Sequence, residues 1–200
     1  RFFSMSELPE FEQFLTDLPH PFWVIENEDQ EIIGCGGVTF VADKSSAGLC
    51  WGMISNDMHR PGLGRFLLLV RLAYIGQQAP HCLVTNDTNQ YTCGFFERMG
   101  FHVTKVTHDH YALDIHRYDM EFQLDDSRSA KINQDLGKYG ATIRSNIGRK
   151  KRAVLSLYYN YDIEQIGLSP YAIGMGNTFA TLFSTAPFDK LTFLKKLLKL

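Results

Sequence analysis

Residues 48–75 read GLCWGMISNDMHRPGLGRFLLLVRLAYI, and three local signals follow one another within them. Gly48–Ser55 (GLCWGMIS) has the composition of a strand. His59–Arg65 (HRPGLGR) breaks it with a proline and two glycines. Phe66–Ile75 is apolar nearly all round, interrupted by Arg71 with Arg65 just before it, as expected of a helix buried against a sheet. Gly62 and Gly64 let the backbone turn tightly and come close to a ligand. The N–H groups of the first helical turn then point outward with the positive end of the helix dipole, which is an anion site. His59, Arg60 and Arg65 add donors, and a pyrophosphate fits that chemistry. The spacing is neither the GxxxxGK[ST] nor the GxGxxG pattern. A lone GxG also marks an ordinary tight turn from strand to helix.

Outward from this stretch the chain alternates. Residues 5–18 predict a helix, with Phe11, Phe14, Leu15 and Leu18 at helical spacing. Phe22–Glu26 and Glu31–Val41 predict a hairpin across the turn NEDQ. His81–Thr85 predicts a short strand. Asn89–Met99 predicts a helix that Asn89 caps and Gly100 stops. Phe101–Val106 and Tyr111–Leu124 predict two late strands, with His108-Asp109-His110 in a polar loop between them. Two histidines two apart share a strand face, but no third metal ligand is evident and no metal is expected. The order predicts an α/β or α+β domain with helices against a mixed sheet.

Taken together, GLCWGMI, HRPGLGRFLL and TNQYTCGFFERMGF (residues 88–101) resemble, in order and spacing, the two motifs of the GNAT acyl-CoA-dependent N-acetyltransferases, [Q/R]xxGx[G/A] and N…(F)YEKxGF. The resemblance covers about residues 1–124. It implies a GNAT-like mixed, splayed central sheet flanked by helices, with acetyl-CoA as cosubstrate. It also implies direct transfer of the acetyl group to a primary amine, on a small molecule or a protein, in a ternary complex. By position, the backbone around Met53 and Ile54 would bind the pantetheine arm. The segment His59, Arg60, Gly62, Leu63, Gly64 and Arg65 would hold the pyrophosphate. Asn89 would hydrogen-bond the cosubstrate, and Phe96 would lie beside the thioester.

Two departures bear on the chemistry. Phe96 stands where the family often has a tyrosine that protonates the leaving thiolate, and phenylalanine has no proton to give. Pro61 removes one N–H from the phosphate cradle. No residue is assigned as general base. Glu26, Asp57, His59 and Glu97 lie near the right segments, and Tyr91 is a proton donor by proximity to the second motif. Asp57 reads first as a loop or cap residue, Glu97 as a solvated helix residue, His59 as part of the pyrophosphate site and Tyr91 as an exposed or packed helix aromatic. A non-catalytic acyl-CoA-binding module is the alternative function, and an inactive remnant the third.

The 200 residues carry 44% hydrophobic and 21% charged residues, which excludes a wholly disordered chain. A net charge of −2 excludes a surface given over to nucleic acid. Residues 1–120 hold 8 Lys+Arg and 15 Asp+Glu, and residues 121–200 hold 12 and 7, so the chain breaks into an acidic and a basic part. The acidic part favours a cationic acceptor by steering. Four scattered cysteines without a CxxC, no signal-like start and no run of about 18 apolar residues predict a cytoplasmic chain without an integral membrane segment.

Residues 125–200 match no family pattern. Asp125–Lys151 is polar, Arg149–Arg152 is a basic cluster, Ala153–Ile163 has β composition and Leu191–Leu200 is an amphipathic basic helix. The resemblance leads one to expect a first strand before residue 1, so the edge of the sheet is expected to be open. Residues 125–200 are then an extension that covers that edge or helps form a homodimer, or they are sequence foreign to the domain.

Overall fold

The computed structural model describes residues 7–17, 20–26, 31–55, 62–147, 154–158 and 181–183. The elements are α1 (Leu8–Asp17), β1 (Phe22–Glu26), β2 (Ile32–Phe40), β3 (Ser46–Ile54), α2 (Leu63–Gln78), β4 (Leu83–Thr88), α3 (Gln90–Arg98), β5 (His102–Ala112), β6 (Ile115–Gln123), α4 (Asp126–Ile147), β7 (Val154–Tyr158) and β8 (Thr181–Phe183). They fall into two compact units: Arg1–Gly37 with Trp51–Val70 and Asn133–Leu200, and Val38–Cys50 with Arg71–Ile132. Strands β2 and β3 and helices α2 and α4 each contribute residues to both.

In the first unit the strand order is β3-β2-β1-β7-β8. β1 pairs antiparallel with β2, from Phe22 opposite Gly37 to Glu26 opposite Ile32. α1 forms because Phe11 and Leu15, one turn apart, both bury. They join Phe22, Val24, Ile32 and Cys35 in a core against which Phe14, Trp51 and Met53 pack. The other edge of β1, expected to be open, carries β7 in antiparallel register from Phe22 opposite Tyr158 to Glu26 opposite Val154. The basic cluster and the amphipathic segment at 191–200 lie outside the described residues.

In the second unit the order is β5-β6-β4-β3-β2. β3 meets β4 in parallel over Ser46–Gly48 opposite Leu83–Thr85. β4 and β6 are antiparallel over six pairs, from Leu83 opposite Gln123 to Thr88 opposite Tyr118. Met120, Phe122 and Leu124 bury at every second position, with Val84 on the same face, so the alternate residues of these strands face away from the core. The sheet is mixed, with β3–β4 parallel and β4–β6 and β5–β6 antiparallel, which is the architecture expected.

Two expectations change. β5 continues to Ala112, so His108-Asp109-His110 lies in the strand rather than in the hairpin loop. The β5–β6 register slips between Thr107 and Ala112, with Asp109 at φ 53°, and the turn is made by Leu113 and Asp114. The Asp109 amide donates to His116 Nδ1 at 3.1 Å, so that nitrogen is an acceptor. Among the described residues no three His, Cys, Asp or Glu side chains group as metal ligands. The polar stretch after residue 125 opens as a helix: Asp125 caps α4 by accepting from the Arg128 amide at 2.8 Å, and Ile132 and Leu136 bury one turn apart. Among the described residues no helix is long and apolar enough to cross a membrane.

Candidate acetyl-CoA elements

In the first unit the polypeptide enters α2 through Gly62, which holds φ 81°, a region closed to most side-chain-bearing residues. The Phe66 amide donates to the Gly62 carbonyl at 3.0 Å and closes the first turn. Leu63 buries completely and pins that turn to the core, while Gly64 and Arg65 remain partly accessible. The helix behind them runs 16 residues, four full turns of aligned peptide dipoles. The Arg65 guanidinium is not simply poised over the turn: it donates to Asp135 of α4 at 2.8 Å. Its charge is therefore already matched, a pairing that sequence alone did not give. His59 and Arg60, with Pro61 and Asp57, lie outside the described residues.

Met53 and Ile54, half-buried, end β3, where Met53 packs on the core of the first unit. Two residues earlier Trp51 adopts φ 48°, left-handed backbone in the middle of a strand and unusual for a bulky residue. Its ring is held by Phe11 at 4.8 Å and Phe14 at 6.2 Å between centroids. The pattern GLCWGMI gave no sign of this irregularity. A glycine-flanked tryptophan is the only local hint.

In the second unit Asn89 is buried and caps α3: its Oδ1 accepts from the Tyr91 amide at 3.0 Å and from Thr92 Oγ1 at 3.3 Å. The capping oxygen is thereby committed, and the amide NH2 is the end of the side chain with donor capacity. Phe96 sits in a run of rings, 5.0 Å from Phe95 and 5.5 Å from Phe101, with Phe101 stacked on Phe122 at 5.1 Å. The helix ends on a paired C-terminal motif: the Phe101 amide reaches the Phe96 carbonyl and the Gly100 amide the Glu97 carbonyl, at 3.1 and 2.9 Å. Gly100 at φ 95° is what that motif requires. Of the residues named as acid or base candidates, Tyr91 and Glu97 are exposed on α3.

Residues 19–103 match the family description "Acetyltransferase (GNAT) domain". The match spans 85 of the 200 residues, and the two motifs read from sequence lie within it. No curated protein matches the chain in sequence. Among solved structures, one assigned to the GNAT acetyltransferases of Desulfovibrio desulfuricans is 20% identical, with 61% of this chain and 83% of that one covered and a TM-score of 0.50. That likeness supports the GNAT fold. An aminoglycoside 6'-N-acetyltransferase complexed with coenzyme A is 12% identical over 60% of this chain and 81% of its own, at a TM-score of 0.49. A spermidine N-acetyltransferase of Vibrio cholerae is 16% identical over 64% and 79%, also at 0.49.

Proposed function

We propose that the GNAT domain transfers an acetyl group from acetyl-CoA to a primary amine by direct attack in a ternary complex. The observation that carries this reading is the entry to α2. A glycine at φ 81° turns the chain into the N-terminus of a 16-residue helix, inside the segment whose sequence is HRPGLGR. The first-turn amides of such a helix have no carbonyl four residues back, and their partial positive charge suits a pyrophosphate. Leu63 and Gly64 would supply those amides, with His59, Arg60 and Arg65 beside them.

The cosubstrate supplies an activated acetyl thioester. The chain's own contributions are positional. The β3 backbone at Met53 and Ile54 would orient the pantetheine arm. The Asn89 amide NH2 would donate a hydrogen bond, because its oxygen is spent on the helix cap. Phe96 would exclude water beside the thioester. The amine must be neutral: its lone pair forms the new C–N bond, the C–S bond breaks, the thiolate leaves with the electron pair and takes up a proton, and the amine nitrogen releases one. Phe96 cannot deliver that proton, and this favours the second reading, a module that binds acyl-CoA without turnover. We also infer that residues 125–200 serve the domain by covering the β1 edge through β7.

The test is thermal unfolding of the whole chain with acetyl-CoA, with adenosine alone as control, followed by an assay for free thiol with a panel of amines. A ligand that binds the folded state raises the midpoint. A rise that needs the pyrophosphate, with thiol release on amine addition, supports transfer. A rise without thiol release supports the binding module. No rise from a cooperatively melting chain overturns both.

A further inference from the structure

The acetyl-transfer reading leaves His108-Asp109-His110 unused, and the structure holds that motif under strain near the end of β5. Asp109 stands at φ 53° and Asp114, in the turn, at φ 60°. Left-handed backbone at a residue with a Cβ persists only where its surroundings hold it. Here a closed set of hydrogen bonds does so. The Asp109 amide donates to His116 Nδ1 at 3.1 Å, and the Asp114 amide donates to Asp109 Oδ1 at 2.8 Å. From α3, Gln90 accepts from the His116 amide at 3.0 Å through Oε1 and donates to the Asp114 carbonyl at 2.5 Å through Nε2.

One of these bonds ends on an imidazole nitrogen, which accepts only while it carries no proton. Protonated, His116 donates from both nitrogens, and the Asp109 N–H then faces another N–H. The same residue carries a replacement partner, since Asp109 Oδ1 lies 3.6 Å from His116 Nδ1. That carboxylate is half-exposed, so the ion pair it forms is weak and does not by itself restore the bulge. Gln90 anchors the His116 backbone and the turn, so it is the Asp109 segment that gives way. Around the ring, β5 presents Asp109, Tyr111 and His108, whose ring lies 4.6 Å from that of His116. The turn presents Asp114, β6 itself Arg117, and β4 Asp87, which accepts from the Tyr111 hydroxyl at 2.7 Å. Arg117 is directed at Asp119, 2.6 Å away, and at Asp87, 3.8 Å away. The group that α3 presents, Gln90, does not titrate. A proton on His108 as well would set two like charges side by side and strain the closed bulge further.

We propose that the β5 bulge is a pH-operated latch, closed by neutral His116 and released when that ring is protonated. In the closed state the Asp109 amide is bonded to Nδ1. On acidification Nδ1 takes a proton from solvent and donates to the Asp109 carboxylate, and the Asp109 amide passes to water. Residues 108–110 then lose the bond that fixes their left-handed turn. The tip itself stays on α3, because neither Gln90 bond involves a group that titrates. The latch is independent of the acetyl-transfer reading. It adjoins that site in sequence only through Gln90, the residue after Asn89.

The test is NMR of the whole isotope-labelled chain between about pH 8 and about pH 5, the range in which histidine side chains ordinarily change charge. It reads the His116 ring, the Asp109 amide and the His116 amide in one titration. Protection of the Asp109 amide from exchange, corrected for the intrinsic rate, is expected to fall about tenfold on acidification, with the midpoint of the His116 ring. The His116 amide, held by Gln90, keeps its protection. His116→Asn offers an amide oxygen that accepts at every pH in this range, and its Asp109 protection is expected to stay flat. His108→Asn is expected to retain the response. A His116 ring that titrates while the Asp109 amide stays protected overturns the proposal, and so does a ring that takes no proton in this range. An equal response in His116→Asn, or loss of the His116 amide together with that of Asp109, assigns the change to another group or to opening of the whole hairpin and overturns it too. The parent titration decides the matter even where His116→Asn fails to fold.

Discussion

The Trp51 indole lies 4.8 Å from the Phe11 ring, and Trp51 is the residue that takes β3 through left-handed backbone. A bulky side chain at φ 48° costs of order 1–3 kcal/mol, so the surroundings must over-determine it. Phe11, buried on α1, supplies part of that support. Phe11→Ala should lower stability by about 3–4 kcal/mol, as burial of a phenylalanine requires. It should also raise KM for acetyl-CoA, because Met53 and Ile54 follow the irregularity directly. Denaturant unfolding and steady-state kinetics check the two halves. A stability loss with unchanged KM would separate the aromatic cluster from the cosubstrate-binding strand.

Gly100 offers a cleaner test of backbone chemistry. At φ 95° a Cβ would be strained, and it would stand 3.2 Å from Phe122 Cε2. Gly100→Ala should cost about 1–3 kcal/mol, read as a lower denaturation midpoint with an unchanged slope. Addition of a mutation that shortens Phe122 should recover only the steric part and leave the φ penalty.

The Arg65–Asp135 pair makes an opposite prediction for stability and binding. Both side chains are partly exposed, 42% and 24%, so the pair contributes at most about 1 kcal/mol. Asp135→Asn should therefore unfold almost as the parent does. It removes the carboxylate charge beside the Arg65 guanidinium in the first turn of α2, and the affinity for acetyl-CoA should rise about two- to fivefold at low salt and converge with the parent at high salt. A fall in affinity would mean that Asp135 orients Arg65 for the phosphates instead of competing with them.

The thiols of Cys82 and Cys93 are pushed above their ordinary value, the first by burial, the second by burial and then by the Glu97 carboxylate. A raised thiol keeps its proton, so less thiolate is present at any pH below the shifted value. Alkylation of the folded chain at these two positions should still be climbing at about pH 10, where the same thiols in denaturant level off. Peptide mapping after timed labelling checks it, and Glu97→Gln should speed Cys93 alone.

How much of this was legible in the sequence depends on whether the signal was local. The α3 cap at Asn89, its stop at Gly100 and the turn at Gly62 were readable because each is set by one residue's backbone chemistry. β1 and β2 were readable as apolar runs on either side of a polar turn, and both are buried almost throughout. Helix α4 was missed although Ile132, Leu136, Tyr139, Ile143 and Ile147 recur at helical spacing, because the stretch is polar overall and holds Gly137 and Gly140, poor helix formers. The slip in β5 and the left-handed Trp51 have no composition signal: both are imposed by neighbouring strands and rings.

Asn89 is the residue at which fold and function are most readily separated. Its Oδ1 holds the start of α3, and only its NH2 has the donor capacity to serve a ligand. Asn89→Asp keeps a good cap and removes the donor. It should unfold like the parent yet lose affinity for acetyl-CoA, by about tenfold for one lost hydrogen bond and an added negative charge. Asn89→Ala removes both functions and should show that loss together with about 1 kcal/mol of destabilisation. If the aspartate variant binds as the parent does and only the alanine variant falls, then Asn89 is a helix cap alone. The match of this position to the second GNAT motif would then reflect the local demands of α3, since a cap is needed wherever a strand hands over to a helix N-terminus, whether or not a ligand is bound there.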